Sequence, residues 1–355
     1  MKDYTAKEYF ASANSYSGFK SYFNEIFDSE NYTAVYILKG GPGTGKSTIM
    51  KKLSSYATSN NLFSEIFRCS SDPASLDGVI IENQTARVAI LDGTAPHVRD
   101  ADIPGAIDEL INLGVAWNAS MLKPHRERII ELNRNKSQAY TSAYGYLQKS
   151  FIYDTNIKAE ISKIFDFEKC RKECSSILES FTNIKKGCCS TRLISSFSKF
   201  GYCTLSKKFE DVNRKYYVPG VCGSNNLFLS CMVDVAKRMG IDAYVFPSAL
   251  DSSSYEGIYF KNEEILISVI EDANILYDST ELLKTDDYIS IEKNLKPLVD
   301  TKNYYLSLAA NSLAEASSHH FKLEEIYTPC MNFGIINEIY ENLLLKIKNI
   351  FQTDV

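Results

Sequence analysis

An α/β fold built twice along one chain is what this sequence predicts, and three observations predict it. A strand-like run, a glycine-rich loop and a helix-like run follow one another between residues 33 and 57. A continuous apolar run, Val88 to Leu91, then ends in Asp92. Finally, about 180 residues after the first loop, the same order of apolar runs and glycines returns in weaker form.

The first unit opens on "TAVYIL", Thr33 to Leu38, an apolar run of strand length that stops at a loop. The segment "STIMKKLSSYA" follows the loop and places Ile49, Leu53 and Tyr56 on one helical face. Between them, Gly40, Gly41, Pro42, Gly43, Thr44, Gly45, Lys46 and Ser47 fit G-x-x-x-x-G-K-[ST]. The chemistry needs these residue types. Gly40 and Gly45 let the backbone turn tightly, because glycine reaches positive φ without a Cβ clash. The N–H groups of residues 43 to 48 then converge on a phosphate at a helix N-terminus. Lys46 would reach the β- and γ-phosphates, and the Ser47 hydroxyl would ligate Mg²⁺ with Thr48 beside it. ATP and Mg²⁺ are the cofactors this pattern calls for.

"RVAILD" reads as a buried parallel strand that carries the Asp92 carboxylate at its C-terminal end, where ligands sit in open α/β sheets. Asp92 is therefore a second candidate metal ligand. "EIFRC" reads as another short strand. The hydroxyl- and carboxylate-rich "SSDPASLDG" after it has two readings. Ser71 or Asp72 caps a helix before Pro73, or Asp72 and Asp77 activate a water or an acceptor hydroxyl. No Glu follows Asp92, so the hydrolytic base is sought elsewhere. His97 is a candidate base or γ-phosphate sensor, against the plainer reading of a satisfied structural histidine. "KPHRER", with His125, Arg126 and Arg128 on a predicted helix, is a basic lid or, more plainly, a solvated face.

The second unit aligns at an offset of 180 residues for Gly40 with Gly220, Gly43 with Gly223 and Thr44 with Ser224. Gly45, Lys46 and Ser47 then fall on Asn225, Asn226 and Leu227. At an offset of 179, Asp72 meets Asp251, Asp77 meets Glu256, and Asp92 meets Glu271. Upstream, Gly18 in "ANSYSGF" lies against Gly201 in "SSFSKFGY". The expectation is a duplication whose second loop has lost its phosphate chemistry, with no lysine and no metal-binding hydroxyl.

The segments "GGPGTGKST", "CSSDPASLDGVII", "VAILDGTAPH", "PGAIDELINLG" and "HRERI" resemble the duplicated P-loop proteins of Gram-positive bacteria catalogued as ATPases or nucleotide kinases. That resemblance covers most of residues 9 to 130 and implies nucleotide binding on two tandem P-loop NTPase-like domains, each a mostly parallel sheet flanked by helices. The second copy of that family often keeps its own phosphate loop, and this chain departs there. The division expected is residues 1–186 with an intact loop and 187–355 as a degenerate repeat, with the boundary at "IKKGCCS". Each half carries a helical tail. Residues 105 to 182 include "GAIDELINLG", read as helix, and "INEIYENLLLKIKNIF" sets Ile336, Ile339, Leu343, Ile347 and Ile350 on one face for core or partner packing.

Composition sets the limits. A chain of 355 residues, 45% of them hydrophobic and 23% charged, has room for two soluble domains. A net charge of −5 argues against a dedicated nucleic-acid binder, which needs clustered Lys and Arg. The charged N-terminus has no apolar stretch of a signal peptide, and no membrane span is expected. The nine cysteines are scattered and odd in number, which suits free thiols in a cytoplasm. Cys170 with Cys174, and the vicinal Cys188 with Cys189, make a poor zinc set, because a vicinal pair chelates one ion badly; small thiols are the simpler reading. The function expected is a Mg²⁺-dependent ATPase. The alternatives are a nucleotide or small-molecule kinase with an unidentified acceptor, and a nucleotide-gated binding module with a protein partner.

Overall fold

The computed structural model describes residues 6–181, 185–205, 209, 212, 214–271, 273–285 and 288–352; Ile184, in the expected boundary segment, lies outside them. The chain is α/β, with two six-stranded sheets. In the first half, β1 (Lys7–Phe10) is followed by a hairpin of β2 (Ser12–Ser15) and β3 (Gly18–Ser21), then β4 (Ala34–Lys39), β5 (Phe63–Arg68), β6 (Leu76–Glu82), β7 (Arg87–Asp92) and β8 (Asp108–Asn112). The second half repeats this as β9 (Cys189–Thr191), the hairpin β10 (Ser195–Ser198) and β11 (Gly201–Thr204), β12 (Arg214–Tyr217), β13 (Ala243–Pro247), β14 (Tyr255–Phe260), β15 (Ile265–Ser268) and β16 (Asn274–Ile275). The helices are α1 (Phe23–Ile26), α2 (Lys46–Ser59), α3 (Ala119–Leu122), α4 (Arg126–Ile164), α5 (Phe167–Ser180), α6 (Ser224–Arg238), α7 (Tyr288–Tyr327) and α8 (Phe333–Gln352).

The two sheets have one topology. The first runs β1-β5-β6-β7-β4-β8 and the second β9-β13-β14-β15-β12-β16. Corresponding pairs share their sense: in each sheet β5–β6 and β6–β7, or their counterparts, are antiparallel and the other pairs parallel. Both sheets carry a register break at the same place, after Phe67 in β5 and after Phe246 in β13. Gly18 and Gly201 take positive φ at equivalent hairpin turns. Six strands, their senses and an irregularity recurring in order establish the internal repeat.

Strand alternation then builds the layers. In β7, Val88 and Ile90 face one core, and Ala89 and Leu91 face another. In β13, Val245 faces outward to its helices while Tyr244 and Phe246 join Ala89 and Leu91. The inner faces of the two sheets therefore pack on each other through one shared core, with Tyr9, Phe67, Phe209 and Tyr259 in aromatic contact there. Each sheet meets long helices on its outer face only. The sheets are flanked by helices as expected, and the antiparallel β5-β6-β7 meander and its copy need no crossover helix on the inner face.

The helical tails are exchanged. After the first half, α5 leaves its own sheet and packs on α6 of the second half, through Cys170, Cys174 and Leu178 against Phe228, Met232 and Val233. The tail of the second half returns the exchange: Ile336, Leu343 and Ile347 of α8 pack on Ile49, Met50 and Leu53 of α2. The stripe read from "INEIYENLLLKIKNIF" is thus a core face. α4 and α7 run antiparallel along one another, as Asp154 with Lys302 at one end and Ala143 with Leu313 further on show.

Two segment readings change. "GAIDELINLG" contains a strand, since Asp108–Asn112 pairs in parallel with β4 at the sheet edge. Its half-exposed alternation looked helical only without that partner. "SSDPASL" caps no helix either: the Ser75 N–H closes a turn on the Asp72 carbonyl, and β6 starts at Leu76 to pair with β5. No helix among the described residues is long and apolar enough to cross a membrane.

Candidate functional site

The first glycine-rich loop lies between the C-terminal end of β4 and the N-terminus of α2. Gly43 at φ 69 and Gly45 at φ 87 hold left-handed backbone, which a side chain would strain. Thr44, buried, ties the loop by donating to the Gly41 carbonyl at 2.9 Å. Lys46 curls back and donates to the carbonyls of Gly40 at 2.6 Å and Gly41 at 3.1 Å, with Asp92 Oδ2 3.6 Å away. Asp92 is itself fixed: Thr94 donates to its Oδ1 from backbone N–H at 2.8 Å and from Oγ1 at 2.6 Å. The Ser47 hydroxyl accepts the Leu76 N–H at 3.0 Å, which links the helix start to β6.

Behind Asp92 sits a second pair. His97 Nε2 lies 3.2 Å from Asp77 Oδ2, both nearly buried, and the His97 ring stacks on Phe23 with centroids 4.5 Å apart. Burial alone would push the imidazole down, but Asp77, reinforced by Asp92 and opposed by Lys46, holds it above its ordinary value. Its Nδ1 has no partner among the described residues. Lys46, Asp92, His97 and Asp77 are thus brought together. Asp72 is not in that group; it pairs with Lys199 of the β10–β11 turn at 3.5 Å. Arg126 and Arg128 pair with Glu127 and Glu131 on an exposed face, as the plainer reading of "KPHRER" has it.

The loop is covered by residues that no local motif signals. The carboxylate of Glu324, near the end of α7, lies beside the Gly43 N–H and faces His320 at 3.6 Å. A contact from His320, opposed by partial burial and reinforced by the Gly43 N–H and the nearby Lys46, keeps that carboxyl below its ordinary range. A Cβ placed on Gly43 would lie 2.7 Å from Thr328 Oγ1, and one on Gly41 would lie 3.3 Å from the Trp117 ring. Exchange of the helical tails is what carries Glu324 and Thr328 to a loop some 280 residues earlier in the chain.

The shared bulge fixes how the second loop aligns. Phe67 faces Gly78 and Phe246 faces Gly257, so these match. Gly78 then pairs with Leu91, and Gly257 with Ser268. Asp92 therefore corresponds to Val269, not to Glu271. Ile37 pairs with Leu91 and Tyr217 with Ser268, which keeps Gly40 on Gly220. Yet α6 begins at Ser224 after Gly223 at φ 89 and ψ 10, the same dihedrals as Gly45 at φ 87 and ψ 10 before Lys46. The second loop is shorter by two residues, and Lys46 and Ser47 correspond to Ser224 and Asn225, not to Asn226 and Leu227. Ser224 is buried and hydrogen-bonded to Ser279 at 2.9 Å. A cavity of about 870 Å³ opens at this loop, lined by Gly223, Asn225, Asn226, Glu256 and, from α4 and α7, Lys158 and Lys302. Of the lysines that line it, Lys158 and Lys302 are engaged by Asp154, and Lys293 and Lys296 stand with them.

Comparison with known proteins finds no family model that matches this chain, and no significant match among curated proteins or solved structures.

Proposed function

We propose that the chain is a Mg²⁺-dependent, ATP-binding protein of the P-loop NTPase type, made of two such halves, which passes the γ-phosphoryl group to water. The observation that carries this reading is the geometry of the first loop, with Gly43 and Gly45 in left-handed backbone and Lys46 on the loop carbonyls 3.6 Å from Asp92. The Glu324 carboxylate lies near enough to the Gly43 N–H and to Lys46 for both to favour its charge, and a phosphate oxygen would meet the same two groups. The donor set also suits the metal. The Ser47 hydroxyl accepts one hydrogen bond and keeps a lone pair, while the two bonds from Thr94 orient Asp92 and leave its Oδ2 toward Lys46. Magnesium bound with the nucleotide would neutralise charge that develops on the transferred group. In the chain itself, Gly40 to Thr48 hold the phosphates, Lys46 turns from its loop carbonyls to the terminal phosphates, and His97 with Asp77 orients the nucleophile. The second loop lacks lysine, hydroxyl and carboxylate at the matching positions, so it holds no metal-triphosphate.

Coverage of the loop favours a second reading within the first, nucleotide gating. A phosphate in the loop would lie beside the Glu324 carboxylate, so nucleotide binding would push on the end of α7, which belongs to the second half. Glu324→Ala should therefore tighten binding of a non-hydrolysable ATP analogue by about five- to tenfold, the scale of one like charge beside the phosphates at a partly exposed site. Unchanged or weaker binding in that variant would sink the idea that Glu324 competes with phosphate. Asp92→Asn keeps an oxygen for Thr94 but removes the charge. The Mg²⁺ concentration for half-maximal phosphate release should rise roughly 10- to 100-fold, with a smaller loss of nucleotide affinity. An unaltered Mg²⁺ dependence would remove Asp92 from the metal site.

A further inference from the structure

Three thiols meet where the exchanged helix α5 lies on α6. Cys170 and Cys174 stand one turn apart on the buried face of α5, and Cys231 reaches them from α6. All three Sγ atoms lie within 4.8 Å of one another, with Cys170 and Cys174 4.0 Å apart. Neither Cys188 nor Cys189 belongs to this group: Cys188 is exposed, and the Cys189 thiol donates instead to the Ile241 carbonyl at 3.6 Å. The sequence did not single out Cys231, because nothing near it repeats a ligand spacing.

We propose that Cys170, Cys174 and Cys231 form a thiolate site for a thiophilic divalent ion of the zinc type, which staples the exchanged tail of the first half to the second. Zinc–thiolate bonds of about 2.3 Å in a tetrahedron place sulfurs about 3.8 Å apart. The Cys170–Cys174 separation is already close to that, and the half-buried Cys231 needs only a side-chain adjustment. Charge is provided for as well. Binding releases three thiol protons and leaves an anionic cluster, with the cationic Arg171 next to Cys170 on α5 and Arg238 about two turns beyond Cys231 on α6. The fourth position has an oxygen at hand. The Tyr277 hydroxyl is buried and has no partner among the described residues, and its ring stacks at 5.3 Å on Phe228, whose carbonyl Cys174 meets. Among the described residues, the further hydrogen bond of these thiols is Cys174 donating to the Phe228 carbonyl at 3.8 Å, which a thiolate gives up.

The test uses the whole chain, reduced and stripped with a chelator, and titrated with Co²⁺ and then Zn²⁺. One equivalent of Co²⁺ should give sulfur-to-metal charge-transfer absorption, and Zn²⁺ should displace it and raise the melting midpoint. Cys231→Ser, at the half-buried member, should keep the native circular dichroism but bind Co²⁺ at least about tenfold more weakly, without the full thiolate band. Lys46→Ala should leave band and midpoint shift intact, which separates this site from the nucleotide loop. A wild-type chain that shows no charge-transfer band and no Zn²⁺-dependent midpoint would overturn the proposal, and so would a band that survives Cys231→Ser undiminished.

Discussion

Lys46→Ala is expected to reduce affinity for Mg²⁺-ATP, and any phosphate release, by roughly 100-fold or more. That is the scale of removing one preorganised charged donor from a phosphate-transfer site. Lys46 is the ammonium within this loop, and its counterpart in the second half is the neutral, buried Ser224. The fold should tolerate the change. Lys46 donates only to loop carbonyls and faces Asp92 across 3.6 Å, and the helix start is held independently by the Ser47–Leu76 bond. Binding by fluorescence, with circular dichroism as the control for folding, checks both halves of the statement. Wild-type affinity in a folded Lys46→Ala would remove the loop from the site.

The largest effect on stability belongs to Arg192. Just after β9, it reaches into the core between the sheets and donates to Glu65 of β5 at 2.9 and 3.3 Å, while the Tyr244 hydroxyl donates to the other Glu65 oxygen at 2.7 Å. Its guanidinium also lies over the Tyr244 ring at 4.5 Å. Burial would raise the Glu65 carboxyl, but Arg192 first, then Arg87, Lys261 and the Tyr244 bond, hold it below its ordinary range. Arg192→Ala leaves a buried carboxylate without its main partner, held by the Tyr244 bond and the weaker pull of Arg87 and Lys261, and should cost about 3–5 kcal/mol at pH 7. The pH dependence has a definite sign. In the wild type the depressed Glu65 contributes stability above its unfolded value of about 4.3, and this is lost as pH falls. In the variant Glu65 is raised instead, so protonation relieves the penalty and the gap between variant and wild type narrows toward pH 4.5. Urea unfolding at the two pH values measures this. A gap that is small at pH 7, or that widens on acidification, would contradict the role given to the pair.

Local segments were legible because their physics is local. The loop residues, β4, α2 and β7 each follow from a period, a glycine or a charge within about 15 residues, and the structure has them in place. Repetition was legible too, down to the matched hairpin glycines Gly18 and Gly201. Non-local pairing was not. Asp108–Asn112 becomes a strand only because β4 lies beside it, and the two-residue shortening of the second loop emerges only from the sheet register. Exchange of α5 and α8 leaves no trace in periodicity, since an apolar stripe does not state which sheet it covers. Glu324 was missed for that reason, and so was the meeting of Cys231 with Cys170 and Cys174.

The central claim is that one of two homologous loops has kept its triphosphate chemistry. Titration calorimetry of the intact chain with a non-hydrolysable ATP analogue and Mg²⁺ tests it most directly. One nucleotide per chain, lost in Lys46→Ala, is the result expected from Lys46, Ser47 and Asp92 standing where the second half has Ser224, Asn225 and Val269. Two nucleotides per chain, with one site surviving Lys46→Ala, would contradict it.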